Sequence, residues 1–168
     1  MAALELPRRY RTILVPSSSF QLLTEKTEAE QAMQRFFAHL EPGGVLVMSF
    51  MVLRESDTPS DGEWSDWYKR ERERPEDGAL IRRWQRTKFD DAAQLEHTED
   101  RYEVLVGDEI VETEEHQRSP AVRWYTQAQS RALYERAGFV DVRATNFTFD
   151  PTTPDDRLWV VFAKKPGQ

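Results

Sequence analysis

Cysteine is absent from all 168 residues, which removes disulfides, thiol nucleophiles and thiolate metal ligands from consideration. A reducing compartment, the cytoplasm, is the expected location. Glycine is scarce: there are seven, and no two are separated by a single residue, so the chain has no GxGxG turn and no Walker loop. The serine run Ser17–Ser19 has no GxSxG elbow, which sets a serine hydrolase aside along with a nucleoside triphosphatase. Histidine occurs three times, at His39, His97 and His116, never in an HxH or HxxxH pair, so no dedicated metal site is expected. Basic charge is in the minority, 23 Lys and Arg against 30 Asp and Glu, a balance unsuited to a nucleic-acid backbone. No apolar run approaches the ~20 residues that cross a bilayer. Arg8, Arg9 and Arg11 stand close to an apolar run too short for a signal peptide. Neither a nucleic-acid partner nor a membrane is expected.

What is present reads as one α/β domain. Thr12-Ile-Leu-Val15, between Arg11 and Pro16, has the apolar continuity of a parallel strand buried on both faces. From Thr27 the apolar residues Ala29, Ala32, Met33, Phe36, Phe37 and Leu40 recur at helical spacing, and Thr27 with Glu30 reads as a capping box. Glu41-Pro-Gly-Gly44 should end this helix and turn into a second buried strand, Val45–Phe50. Strand, helix, strand is a βαβ unit, whose right-handed crossover makes the two strands parallel.

Between Leu53 and Pro75 the composition turns charged, and Arg70 to Arg74 reads as a solvated helix face or loop. Trp64, Trp67 and Tyr68 are embedded in it, and such rings cover either a neighbouring core or a ligand mouth. Three period-two segments follow, Leu80–Phe89, Gln94–Val106 and Glu109–Gln117, as an antiparallel meander with one wet face. A second helix runs from Thr126 to the Ala137-Gly138-Phe139 cap, and strands Val140–Phe147 and Leu158–Ala163 close the chain. Their connection, Asp150–Asp156, carries two prolines, and the last strand, apolar on both faces, should be central. The expected organisation is a single domain over 1–168, with a Rossmann-like core at 1–52 and 119–168 and a lid with β insert at 53–118.

The ordered set of these elements resembles the C-terminal half of the class I S-adenosylmethionine-dependent methyltransferases. Tyr10-Arg-Thr-Ile-Leu-Val15 looks like that fold's fourth strand and Pro16-Ser-Ser-Ser-Phe-Gln-Leu-Leu23 like the loop after it. Leu40-Glu-Pro-Gly-Gly-Val-Leu-Val47 is similar to the turn opening the fifth strand, and Arg123-Trp-Tyr-Thr126 with Ala137-Gly-Phe-Val-Asp-Val142 to the stretch before the sixth. The insert, with Glu114-Glu-His116, looks like the small sheet that roofs the acceptor pocket in many members. The resemblance implies an α/β fold: a partial Rossmann-like methyltransferase sheet, strands equivalent to the fourth to seventh, with an antiparallel three-stranded insert.

It also implies a site. Pro16, Ser17 and Ser18 would sit at the carboxyl end of the fourth strand against S-adenosylmethionine, where open α/β sheets bind ligands. Ser19, Phe20, Gln21, Phe50, Trp67, Tyr68, Arg123, Trp124 and Tyr125 would line the acceptor pocket, with His116 as general base. Each has a plainer role open to it: the serines a local turn, Phe20 a hydrophobic staple, Arg123 an ion pair. The family's glycine-rich turn and its ribose-binding acid are missing from this sequence. Residues 11 to 15 are therefore expected at a sheet edge, covered by a second copy, a separate polypeptide or a rearranged N-terminus. The expected activity is methyl transfer to a small molecule once the cofactor site is completed by such a partner. The competing expectation is a noncatalytic remnant that serves as a dimerisation or interaction module, and a shortened reading frame is a third.

Overall fold

The computed structural model describes residues 1–53, 62–148 and 158–167. The Pro-containing segment 150–156 and part of the charged segment after Leu53 lie outside the described residues. In chain order the elements are β1 (Tyr10–Val15), α1 (Lys26–His39), β2 (Leu40–Met51), β3 (Tyr68–Glu73), β4 (Leu80–Asp90), β5 (Leu95–Val106), β6 (Glu109–Arg123), α2 (Gln127–Arg136), β7 (Val140–Asn146) and β8 (Leu158–Lys164). A short 3-10 turn, Ser19–Leu22, lies between β1 and α1. Two compact units emerge, Met1–Ser56 with Val122–Gln168 and Asp57–Ala121.

The first unit holds a four-stranded sheet in the order β1-β2-β8-β7. β1 and β2 are parallel, as the βαβ order requires, while β8 runs antiparallel to both β2 and β7. This is the arrangement expected of the fourth to seventh strands, with the apolar β8 inside the sheet. Leu46, Met48 and Phe50 of β2 stand opposite Ala163, Val161 and Trp159 of β8, and all six are buried. Ala29, Ala32, Met33 and Phe36 of α1 and Leu133 and Tyr134 of α2 complete this core. Leu, Ile, Met and Phe side chains each contribute about 1.5–3 kcal/mol when fully buried. Polar atoms inside are matched: Tyr134 donates its hydroxyl proton to the Val161 carbonyl at 2.9 Å, and the Trp159 indole donates to Ser130 Oγ at 3.1 Å.

Three local expectations are corrected. β1 is not buried on both faces: it is an edge strand among the described residues, only Val15 is fully buried, and Leu14 is 63% exposed. Its apolar run identified a strand but carried no information on what covers it. The capping box at Thr27 does not form, because α1 starts at Lys26 with Glu25 at the N-cap position and no side-chain cap bond. Thr27 thus lies inside the first turn. Third, Pro42-Gly43-Gly44 does not precede β2 but lies within it, as an irregularity between the pairs Tyr10↔Leu40 and Thr12↔Val45. Gly43 takes φ +75°, and a Cβ on Gly44 would come within 2.9 Å of the Glu41 carbonyl and 3.1 Å of the Arg11 carbonyl. Glycine is required at both positions. Lys165 donates from Nζ to the Phe37 and Leu40 carbonyls, closing the α1 C-terminus, and burial lowers its pKa.

At α2 the local signals hold. Thr126 accepts from the Gln129 amide while Gln129 Oε1 accepts from the Thr126 amide, a reciprocal capping box, and Gly138 ends the helix at φ +92°.

The second unit is a sheet of four strands, not three, in the order β3-β4-β5-β6. The extra strand, β3, occupies the charged segment read as a helix face or loop. Tyr68-Lys-Arg-Glu-Arg-Glu73 pairs antiparallel with Leu80–Gln85, so backbone bonding and cross-strand charge hold it where no apolar face exists. β4 and β5 form a long ladder from Leu80↔Leu105 to Asp90↔Leu95. Across it run Arg82 to Glu103, Arg83 to Asp100, and Arg86 to Glu99, and Arg82 also reaches Glu71 of β3. Glu103 is 3% exposed and also receives the Trp84 indole and Arg101. Burial pushes the Glu103 carboxyl up, but Trp84, Arg101 and Arg82 outweigh it and the net displacement is downward.

Candidate functional site

In open α/β sheets ligands meet the carboxyl ends of parallel strands, so β1 and β2 define the end of the first unit to examine. β1 is followed by Pro16-Ser17-Ser18-Ser19. Ser17 and Ser18 both adopt left-handed backbone, φ 55° and 53°, unusual for two successive non-glycine residues. The turn is held by Ser18 N–H donating to Ser49 Oγ at 3.1 Å and by Ser19 donating its hydroxyl and amide to the Pro16 carbonyl. Ser49, third from the end of β2, was not among the residues singled out from sequence, although a lone hydroxyl in the run Val-Leu-Val-Met-Ser-Phe was the available signal. Strain stored at such a turn is characteristic of ligand contacts.

The structure brings three expected pocket residues together behind this turn. Phe20 and Phe50 meet edge to face at 6.0 Å, and Tyr125 lies 6.0 Å from Phe20 and 5.8 Å from Phe50. Phe20 and Phe50 are fully buried, with Phe50 also stacked on Trp159 at 5.6 Å. Gln21 is buried too: its Oε1 accepts from the Met51 amide, while its Nε2 donates to the Met51 and Arg123 carbonyls. Arg123 donates from Nε to the Thr24 carbonyl at 2.8 Å. Gln21 and Arg123 thus tie the loop after β1, the end of β2 and the end of β6 into one frame.

Two polar atoms at this frame are left over. The Trp124 indole N–H and the Tyr125 hydroxyl are buried without a hydrogen-bond partner among the described residues. Burial pushes the Tyr125 phenol up to about 12, so it is a neutral donor at physiological pH. An orphaned buried donor is costly, and a ligand oxygen or nitrogen is one way to satisfy it. The serine turn and these donors fit one wall of a cofactor or acceptor site.

The other expected residues lie in the second unit. His116 lines a cleft of about 510 Å³ with Trp67, Trp84, Glu99, Arg101 and Glu115. His116 Nε2 sits 3.0 Å from Glu114 Oε1, and its ring meets Tyr102 edge to face at 5.9 Å. Trp64 and Trp67 both stack on the Arg86 guanidinium, 5.0 and 4.6 Å from its carbon, and Arg86 also binds Glu99. Tyr68 is apart from this cluster and stacks with Arg70. Trp84, Glu99 and Arg101 were not identified from sequence. Their convergence follows from cross-strand register: Trp84 stands opposite Arg101, and Arg86 opposite Glu99.

The sheet order with its parallel β1–β2 pair and antiparallel β8 is that of the class I S-adenosylmethionine-dependent methyltransferases, and solved structures agree. The chain is similar to an S-adenosylmethionine-dependent methyltransferase from Clostridium acetobutylicum ATCC 824, with 12% identity and TM-score 0.71 over 99% of this chain and 62% of the other. It is similar to an amino pentose methyltransferase from Micromonospora echinaspora, with 19% identity and TM-score 0.68 over 98% and 61%. A sugar N-methyltransferase from Streptoalloteichus shows 18% identity and TM-score 0.58 over 99% and 60%. The chain therefore has a class I methyltransferase-like fold and spans about three fifths of these proteins' length. No protein-family model and no curated protein matches its sequence. Among the described residues, no helix is long and apolar enough to cross a membrane.

Proposed function

We propose that this chain carries the acceptor-side part of an S-adenosylmethionine-dependent methyltransferase acting on a small molecule, its cofactor site completed by a partner chain or second copy over residues 11–15. The observation that supports the reading best is the strained Pro16–Ser19 turn at the carboxyl end of β1, backed by the Phe20–Phe50–Tyr125 cluster with its orphaned hydroxyl. S-adenosylmethionine, when bound, supplies an electrophilic methyl group. Pro16, Ser17 and Ser18 are the residues we assign to holding it, and Ser19, Tyr125 and Trp124 to orienting an acceptor beside it. Phe20, Gln21, Phe50 and Arg123 support that wall from below. His116, with Glu114 beside it, is the residue of the second unit we propose as a general base on the terms of its own cleft, and Trp67 with Tyr68 belongs to the aromatic surface of that unit. The names of two fold neighbours make sugar-borne amines the first acceptors to screen.

Calorimetric titration with S-adenosylhomocysteine tests the reading. Saturable heat at a fixed stoichiometry, weakened at least tenfold by Ser17→Ala/Ser18→Ala, is expected. No heat up to millimolar ligand would leave the noncatalytic interaction module as the better account. That second reading is favoured by the exposed Leu14 on β1, a strand paired with β2 on one side and open on the other among the described residues, which suits docking as well as catalysis.

A further inference from the structure

Ser17, Ser18 and Ser19 are adjacent and alike in chemistry, yet the fold uses them differently. Ser19 is committed to its own turn, donating its hydroxyl to the Pro16 carbonyl at 2.6 Å and its amide to the same oxygen at 3.1 Å. Ser17 and Ser18 keep their hydroxyls free of partners among the described residues. Ser18 even holds the N-cap position of the 3-10 turn Ser19–Leu22, where a serine hydroxyl ordinarily accepts a backbone amide, and makes no such bond. The backbone carries strain as well. With φ 55° and 53° at the two central residues and the Ser19 amide closing on Pro16, residues 16–19 follow the type I′ pattern, which favours Asn-Gly or Asp-Gly. Two serines persist there only if something outside the turn holds them.

One side-chain atom supplies that restraint. β1 leaves its ladder at Val15, opposite Met48, because Pro16 has no N–H to continue it. One residue further along β2, Ser49 stands opposite Val160 of β8 and places its Oγ 3.1 Å from the Ser18 amide. A side chain thus takes up the amide that the interrupted ladder leaves over. The far half of the same loop has a separate anchor, since Gln21 binds the Met51 amide and carbonyl and the Arg123 carbonyl. Loss of the Ser49 hydroxyl should therefore release Ser17 and Ser18 while Phe20 and Gln21 stay in place.

We infer that Ser49 is a positioning residue for the ligand end of β1: by accepting the Ser18 amide it keeps the Ser17–Ser18 turn in the left-handed form that leaves both hydroxyls available to the cofactor. The inference rests on the assignment of Pro16, Ser17 and Ser18 to S-adenosylmethionine. Asn-Gly would form the same turn unaided and bring no hydroxyl; two serines and a tether give that backbone with two. A turn restrained in advance needs no ordering when the ligand binds, whereas one formed a tenth of the time weakens apparent affinity about tenfold. Ser49 therefore acts on affinity through its neighbours.

Calorimetric titration of the full chain with S-adenosylhomocysteine, read beside hydrogen exchange at the Ser18 amide, tests it. Ser49→Ala should weaken binding about tenfold and speed exchange at Ser18. Ser49→Thr and Ser49→Val share a shape and differ in the acceptor, so the first should bind within about threefold of wild type and the second should behave like Ser49→Ala. In the Ser17→Ala/Ser18→Ala background, Ser49→Ala should cost less than about threefold more, because the hydroxyls through which it acts are gone. A merely structural tether would move the exchange rate and leave affinity alone. Absence of binding by wild type up to millimolar ligand would end the cofactor assignment and this inference with it. With wild type binding, three results would overturn the inference by itself: Ser49→Ala equal to wild type in affinity, Ser49→Thr as weak as Ser49→Val, or the same loss in both serine backgrounds. Should Ser49→Ala fail to fold, the Thr and Val variants and the wild-type Ser18 amide carry the test, and an amide that exchanges as fast as an open loop would also overturn it.

Discussion

The two units reach stability by different means. The first buries a contiguous set of apolar side chains between one sheet and two helices, and the polar atoms of that core, Tyr134 Oη and Trp159 Nε1 among them, are hydrogen-bonded, with Trp124 Nε1 and Tyr125 Oη left over at the candidate site. In the second, the buried residues among those described are Ala79, Leu105 and the carboxylate Glu103, and the sheet is laced by arginine–carboxylate and arginine–tryptophan contacts. A hydrophobic core fixes a shape that ligands can use. A charged ladder gives a sheet whose faces and edges are available for recognition, at the cost of stability that depends on pH and pairing.

Three substitutions sharpen this contrast. The largest effect is expected from Trp159→Ala, which opens a cavity beside Phe50 and removes the indole donor to Ser130 Oγ; a loss of about 4 kcal/mol should appear in denaturant unfolding. Glu103→Ala removes the one acceptor shared by Arg82, Arg101 and Trp84 and should cost about 3 kcal/mol, read as faster hydrogen exchange in β4 and β5 and little change in β2 and β8. The smallest concerns Glu96. Burial, with a lesser contribution from the Asp100 carboxylate, pushes its carboxyl from 4.5 up to about 7. The folded protein therefore holds a proton that the unfolded chain has released, and stability falls as pH rises between these values. Glu96→Gln should raise stability at pH 8 by about 1–2 kcal/mol, allowing for solvent screening, and leave it unchanged near pH 4. An increase at pH 4 of the same size would assign the effect to packing.

Legibility in the sequence followed the same division. The β1–α1–β2 order, the parallel pairing, the α2 cap and the interior place of β8 were readable because apolar runs and helix signals are local and the first unit is built on them. What failed there was burial on both faces of β1, since the apolar run Thr12-Ile-Leu-Val15 does not say what lies over it; its place at a sheet edge, expected from the resemblance, holds among the described residues. β3 was unreadable as a strand: its alternating charges have no apolar face, and only pairing with β4 explains it. The cleft around His116 was half visible. His116 and Trp67 stood out by residue type, whereas Trp84, Glu99 and Arg101 gain meaning from a register set by the whole ladder. Ser49 escaped because its partner, the Ser18 amide, lies a strand and a helix away.

The assignment of the ligand end of β1 and β2 is most directly tested by amide and aromatic NMR shifts during titration with S-adenosylhomocysteine. The account predicts saturable changes centred on Ser17, Ser18, Ser49 and the Tyr125 ring, with α1 and the outer residues of β7 silent. Ligand-induced changes that bypass the Pro16–Ser19 turn, or none at millimolar concentration, would contradict it.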